Sequence, residues 1–121
     1  MRLSRRYLCL AFIAAIAALP SRGWAHAVII KSDPAAGARV HGPRVAFRLQ
    51  YNSRIDPKRS RLVIELPDGS QRSLSIRPGD SLDTLAAQAT GLSPGSYRLH
   101  WQVLSVDGHI TRGDIPFEVE P

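Results

Sequence analysis

Apolar side chains recur at every second residue in several short stretches of this chain, and this spacing constrains the fold more than any other feature of the sequence. The clearest stretches are 45–51, 62–66, 97–103 and 115–119. Successive side chains of a β-strand point to opposite faces of its sheet, so each stretch predicts a strand with one buried face. No segment of convincing length has the helical period. The sequence therefore predicts an all-β protein.

Turn-forming residues separate these stretches. The turn at 67–69 lies between 62–66 and a returning strand at 74–76, which predicts a β-hairpin. Segment 82–89 fits either a strand or a single helical turn, and 28–30 fits a short first strand. About seven short strands with Pro- and Gly-rich turns predict an antiparallel β-sandwich or a Greek-key barrel.

The first 25 residues have the features of a cleaved export signal. Three arginines within the first six residues precede an apolar run at 8–19. That run is shorter than the roughly 20 residues that a membrane-spanning helix needs. Small residues follow, as signal peptidase requires. We expect residues 1–25 to be removed by cleavage after Ala25, leaving 26–121 as one exported domain. An uncleaved anchor is the alternative, and the sequence leaves Sec and twin-arginine export open.

Cleavage would change the composition of the chain. Its single Cys (Cys9) and single Met (Met1) both lie in the first 25 residues. Four of the 16 basic residues lie there too, which leaves 12 against 10 acidic residues and a formal charge of +2 instead of +6. This balance, without a basic stripe interleaved with aromatics, gives no support for nucleic-acid binding. The basic segment 54–61 fits a solvated turn better than a partner surface.

His26 would be the first residue of the mature chain. A terminal histidine has a free α-amine beside its imidazole, whereas the backbone nitrogen of an internal histidine is an amide. The usual pKa values of these groups are about 7.7–8.0 and 6.5, so both lose their protons at modest cost near neutral pH. Two nitrogen donors on one residue suit a tetragonal Cu(II) ion.

Asp107 and His109 are the second pair of candidate ligands. Side chains two apart in extended backbone project to the same face, and Gly108 between them allows a turn. Together with His26 they offer three nitrogens and one oxygen, the equatorial set of one Cu(II) ion. The same Asp-Gly-His segment also fits an ordinary turn between strands. His41, in a turn, and His100, on a polar strand face, are weaker candidates, and Trp101 is expected in the core.

Two blocks of the sequence resemble the CopC-type periplasmic copper-binding (copper resistance) family. The first is His26-Ala27 followed by the segment SDPAAG at 32–37, and the second is YRLHWQVLSVDGH at 97–109 followed by Gly113. The resemblance covers essentially all of 26–121. It implies a cupredoxin/immunoglobulin-like Greek-key β-barrel or sandwich whose Cu(II) ligands map onto His26, Asp107 and His109.

The resemblance also implies a role in copper handling or resistance. We expect a non-enzymatic carrier or buffer of one Cu(II) ion per chain, a monomer that can hand copper to a CopD-type inner-membrane transporter. Some members have a Met-rich segment for Cu(I), which residues 26–121 lack, so only Cu(II) binding is predicted.

Two other functions remain open on the sequence. A terminal His with a second His also resembles the histidine brace of copper-dependent polysaccharide oxygenases. The small size, the few aromatics and the carboxylate of Asp107 count against an oxygenase. A metal-free β-sandwich interaction module is the other alternative.

Overall fold

Two β-sheets pack face to face in the computed structural model, which describes residues 27–121. The strands are β1 (Ile29–Asp33), β2 (Ala38–His41), β3 (Val45–Tyr51), β4 (Arg61–Glu65), β5 (Gln71–Leu74), β6 (Arg77–Pro78), β7 (Thr84–Ala89), β8 (Gly95–Leu104) and β9 (Ile110–Glu120). A 3-10 helix, Pro57–Arg59, precedes β4. The sheet orders are β1-β3-β7-β6 and β2-β9-β8-β4-β5. The predicted all-β Greek-key sandwich is confirmed.

The alternating residues form the core between the two sheets. Phe47 on β3 meets Phe117 on β9 edge to face, with ring centroids 5.5 Å apart, and Tyr97 stacks on Phe117 at the same distance. Such pairs add about 0.5–1.5 kcal/mol to the stabilisation from burial alone. The inward residues of β3, β8 and the last part of β9 are all buried, as their period predicts.

The predicted hairpin is present, although its second strand is shorter than expected. Leu62 of β4 pairs with Leu74 of β5 in antiparallel register. Strand β5 ends at Leu74, so Ile76 lies outside it and packs against the core from the side. The ambiguous segment 82–89 is a strand from Thr84 onward.

Two strands were not predicted, and one of them changes the topology. After β1 the chain turns at 34–37 and crosses to the other sheet as β2, which pairs in parallel with β9. The sandwich is therefore not purely antiparallel. Strand β6 has two residues and pairs with β7. No helix within 27–121 is long and apolar enough to cross a membrane.

One end of the sandwich collects the start of β1, the end of β3, the starts of β4 and β7, and the β8–β9 loop. The registers Ile29↔Tyr51, Gln50↔Thr84, Arg61↔Gln102 and Leu104↔Ile110 establish this arrangement. We call it the loop end.

Candidate metal site

The five-residue loop Ser105–His109 joins the two longest strands at the loop end. Its backbone is closed by two hydrogen bonds of 2.9 Å, in which the amide of Gly108 donates to the Ser105 carbonyl and the amide of Ser105 donates to the His109 carbonyl. Gly108 has a φ of +91°, a left-handed conformation that favours glycine. This turn sets the directions of the side chains on either side of the glycine.

Asp107 and His109 lie next to each other across Gly108. Their closest atoms, Oδ2 of Asp107 and Nδ1 of His109, are 3.2 Å apart. The two side chains are 49% and 47% exposed, so solvent and small ions reach both. The structure thus brings together two of the three predicted ligands.

Ser105 orients the carboxylate of Asp107, a role that the sequence reasoning missed. The buried Ser105 hydroxyl donates a short hydrogen bond to Asp107 Oδ1, and the His109 amide donates to the same oxygen over 3.4 Å. The Ser105 hydroxyl, and then the His109 side chain, lower the pKa of Asp107. The carboxylate is therefore ionised at neutral pH, the form that binds a metal. A Ser two residues before an Asp was the available sequence signal.

The N-terminal end of the described chain is fixed beside this loop. Ala27 is buried, and its carbonyl accepts a 2.9 Å hydrogen bond from the Thr111 hydroxyl, two residues after His109. The next residue, Val28, donates its amide to Asn52 Oδ1 over 2.7 Å. His26 lies outside the described residues. Among residues 27–121, no three His, Cys, Asp or Glu side chains gather into a group able to hold a metal ion.

Trp101 lies in the core, as predicted, at 7% exposure. Its indole meets the ring of Tyr51 edge to face, with centroids 5.3 Å apart. Gly113 pairs with Trp101 across β8 and β9, and a Cβ at Gly113 would be only 2.3 Å from the indole Cζ2. This close approach explains the need for a glycine at 113. Burial raises the pKa of the Tyr51 phenol, which therefore stays neutral.

The other two histidines are bound to carboxylates away from the β8–β9 loop. His100 lies on the outer face of its sheet, with Nδ1 at 2.9 Å from Asp114 and Nε2 at 3.3 Å from Glu65. The hydrogen bond to Asp114, and then the one to Glu65, raise the pKa of His100 against the effect of desolvation. His41 is exposed, as predicted, and its Nε2 is 3.6 Å from Glu120.

Comparison with known proteins gives consistent matches over the whole described domain. Residues 29–120 match the family described as the CopC domain. Protein YobA of Escherichia coli (strain K12) is 32% identical over 100 residues, which cover 80% of this chain and 81% of YobA. Copper resistance protein C of Xanthomonas campestris pv. juglandis is 28% identical over 105 residues, 80% of this chain and 82% of that protein. The crystal structure of CopC from Methylosinus trichosporium OB3b matches with a TM-score of 0.74 and 28% identity, over 79% of this chain and 95% of that one.

Proposed function

The chain belongs to the CopC domain family of copper-binding resistance proteins, which are not enzymes, and from this we propose that it is a periplasmic carrier or buffer of one Cu(II) ion. The observation that carries the proposal is the contact between Asp107 and His109 in a loop beside the fixed N-terminal segment. In this proposal the ligands are His26, through its amine and imidazole, Asp107 and His109.

The spacing of the two loop donors fits a single ion. Imidazole nitrogens and carboxylate oxygens bind divalent zinc at about 2.0–2.2 Å. Two such donors at right angles on one ion of that size would be roughly 2.8–3.1 Å apart, by simple geometry from those bond lengths. The observed 3.2 Å between Oδ2 of Asp107 and Nδ1 of His109 is close to this range. Little movement of either side chain is needed to bind the ion.

The proposed position of the third ligand residue, His26, rests on chain connectivity. Consecutive Cα atoms are about 3.8 Å apart, so residue 26 is held close to the Ala27 that Thr111 fixes. Cleavage after Ala25 is part of the proposal, because only then does residue 26 have a free amine.

The donor set favours Cu(II) over Cu(I). The proposed ligands are nitrogens and one carboxylate oxygen, whereas Cu(I) prefers thiolate and thioether sulfurs. The only Cys and the only Met of the chain precede residue 26. Transfer of the ion to a CopD-type membrane transporter is the role we propose for the loaded protein.

Two measurements test the function and its ligands. Intact mass spectrometry of protein recovered from the periplasm, with and without Cu(II), gives the first residue and the number of ions together. Asp107→Ala and His109→Ala should each change the Cu(II) electron paramagnetic resonance spectrum, whereas His41→Ala at the opposite end should leave it unchanged. A first residue other than His26 contradicts the terminal chelate. An unchanged spectrum for either loop variant removes that residue from the ligand set.

A further inference from the structure

Exposed apolar side chains are concentrated at the loop end. The large hydrophobic residues of 27–121 that are exposed range from 50% to 68% in exposure, and they are Val28, Ile30, Leu82, Val106 and Ile110. We call this set the apolar rim. Single exposed hydrophobics are normal on a protein surface, but a gathering of them marks an interaction site.

Segment 52–56 connects three members of the rim. Asn52 exchanges hydrogen bonds with the backbone of Val28, at 2.7 and 2.9 Å. The Ile55 amide donates to the Leu82 carbonyl at 3.0 Å, and the Val106 amide donates to the Arg54 carbonyl at 3.2 Å. Three members of the rim, from separate parts of the sequence, therefore meet around this segment.

A basic stretch of the chain begins within the same segment. Four exposed basic residues follow within eight positions: Arg54, Lys58, Arg59 and Arg61. We call 54–61 the basic loop. Its single acidic residue, Asp56, accepts a hydrogen bond from the Lys58 amide and lies 3.8 Å from the Arg59 guanidinium. The four basic residues and Asp56 together give the basic loop a formal charge of +3.

The acidic residues beside Leu82 are already bound. Asp80 accepts from the Arg48 guanidinium at 2.9 Å. Asp83 accepts from the hydroxyls of Ser81 and Thr84. These contacts occupy both carboxylates, and Leu82 is exposed between them.

Apolar side chains beside a net positive loop match an anionic lipid surface. Such a surface binds proteins by taking apolar residues into the headgroup region and by attracting Lys and Arg. A second copy of this chain fits poorly, because it would bring two positive loops together. We propose that the loop end docks reversibly on an anionic phospholipid membrane through the apolar rim and the basic loop. Val106 and Ile110 bracket the 107–109 turn, so docking turns the proposed copper ligands toward the membrane.

Vesicle sedimentation tests this docking with copper-free protein recovered from the periplasm, whose first residue has been identified by mass. Protein should sediment with phosphatidylglycerol-containing vesicles, and only weakly with pure phosphatidylcholine. Binding should fall with salt, since the screening length is about 10 Å at 0.1 M. Arg54→Gln and Lys58→Gln should each lower the partition coefficient about five-fold, equivalent to about 1 kcal/mol per basic residue. Leu82→Ser should lower it several-fold as well.

Arg44→Gln is the matched control, because it removes an exposed positive charge at the opposite end, before β3. It should leave vesicle binding unchanged. Circular dichroism checks that every variant is folded. Absence of binding to anionic vesicles at low salt, or equal loss in Arg44→Gln, would overturn the proposal. A dimer that is detected by sedimentation equilibrium and abolished by Leu82→Ser would also overturn the proposal, because a second copy of the chain would then cover the apolar rim. Asp107→Ala should still bind vesicles, which separates this test from that of copper binding.

Discussion

Replacing Ser105 by Ala should weaken Cu(II) binding about ten-fold, although Ser105 is not a proposed ligand. Its buried hydroxyl donates to Oδ1 of Asp107 and leaves Oδ2 facing His109. A hydrogen bond to a charged group contributes about 1.5–3 kcal/mol. Water can replace part of it here, because Asp107 is half exposed. We therefore expect a loss near the lower end, about 1.4 kcal/mol, which corresponds to ten-fold in affinity. Loss of a group that orients a metal ligand typically costs 10–100-fold.

Ser53→Ala is the matched control for this experiment. Ser53 also lies at the loop end, and its buried hydroxyl has no hydrogen-bond partner among the described residues. Competition with a chelator of known Cu(II) affinity gives the dissociation constants of both variants and of the wild type. The electron paramagnetic resonance spectrum of Ser105→Ala should keep the wild-type ligand set, because only the orientation of Asp107 is affected. A Cu(II) affinity of Ser105→Ala within two-fold of wild type, or an equal loss of affinity in Ser53→Ala, would contradict this role of the hydroxyl.

Three further predictions concern the strands below the site. Gly113→Ala should lower the free energy of unfolding by about 1–3 kcal/mol through overpacking against Trp101, and urea titration should show that most of this cost disappears in a Trp101→Phe background. Asp114 and Glu65 raise the pKa of His100. The ion pairs of His100 therefore contribute their full stabilisation of the folded state below the unfolded pKa of about 6.5, and this contribution is lost as pH rises through the folded pKa. His100→Gln should therefore cost no more than about 1 kcal/mol at pH 5.5, given the screening by solvent, and nothing at pH 9 by the same titration; an equal loss at both values contradicts the ion-pair explanation. Fluorescence of Trp101, the only tryptophan after residue 25, should be quenched by Cu(II) with a break at one equivalent, and a linear decrease without a break would contradict a single site.

Most of the core could be predicted from the sequence because large apolar residues alternate without interruption. In 45–51 and 97–103 every predicted inward side chain is buried. The strand Thr84–Ala89 was ambiguous because its inward residues are mostly alanine and threonine, whose small side chains give a weak period. Strand β2 was missed for a different reason. Its position depends on the crossing between sheets, and short edge strands leave little pattern in the sequence.

Some contacts of the site join residues close in sequence and could be predicted, whereas others join distant residues and could not. The approach of Asp107 and His109 follows from their spacing across a glycine, so the sequence was enough to predict it. The role of Ser105 depends on which atoms face each other within the turn. The binding of His100 by Glu65 and Asp114 depends on the register of three strands, which no single segment of sequence specifies.

The two oxygens of Asp107 make different contacts, and this difference allows an experiment that distinguishes ligation from mere orientation of His109. Oδ1 receives the Ser105 hydroxyl and the His109 amide, so it belongs to the structure of the turn. Oδ2 faces only the imidazole in the contacts described above. If Asp107 served only to orient His109, Asp107→Asn would lose one orienting contact, and its Cu(II) affinity would fall about as much as that of Ser105→Ala. If Oδ2 is a ligand, the loss of its charge should weaken binding far more than Ser105→Ala does. Comparing these two variants in the same chelator competition therefore separates a ligand from a group that only positions one.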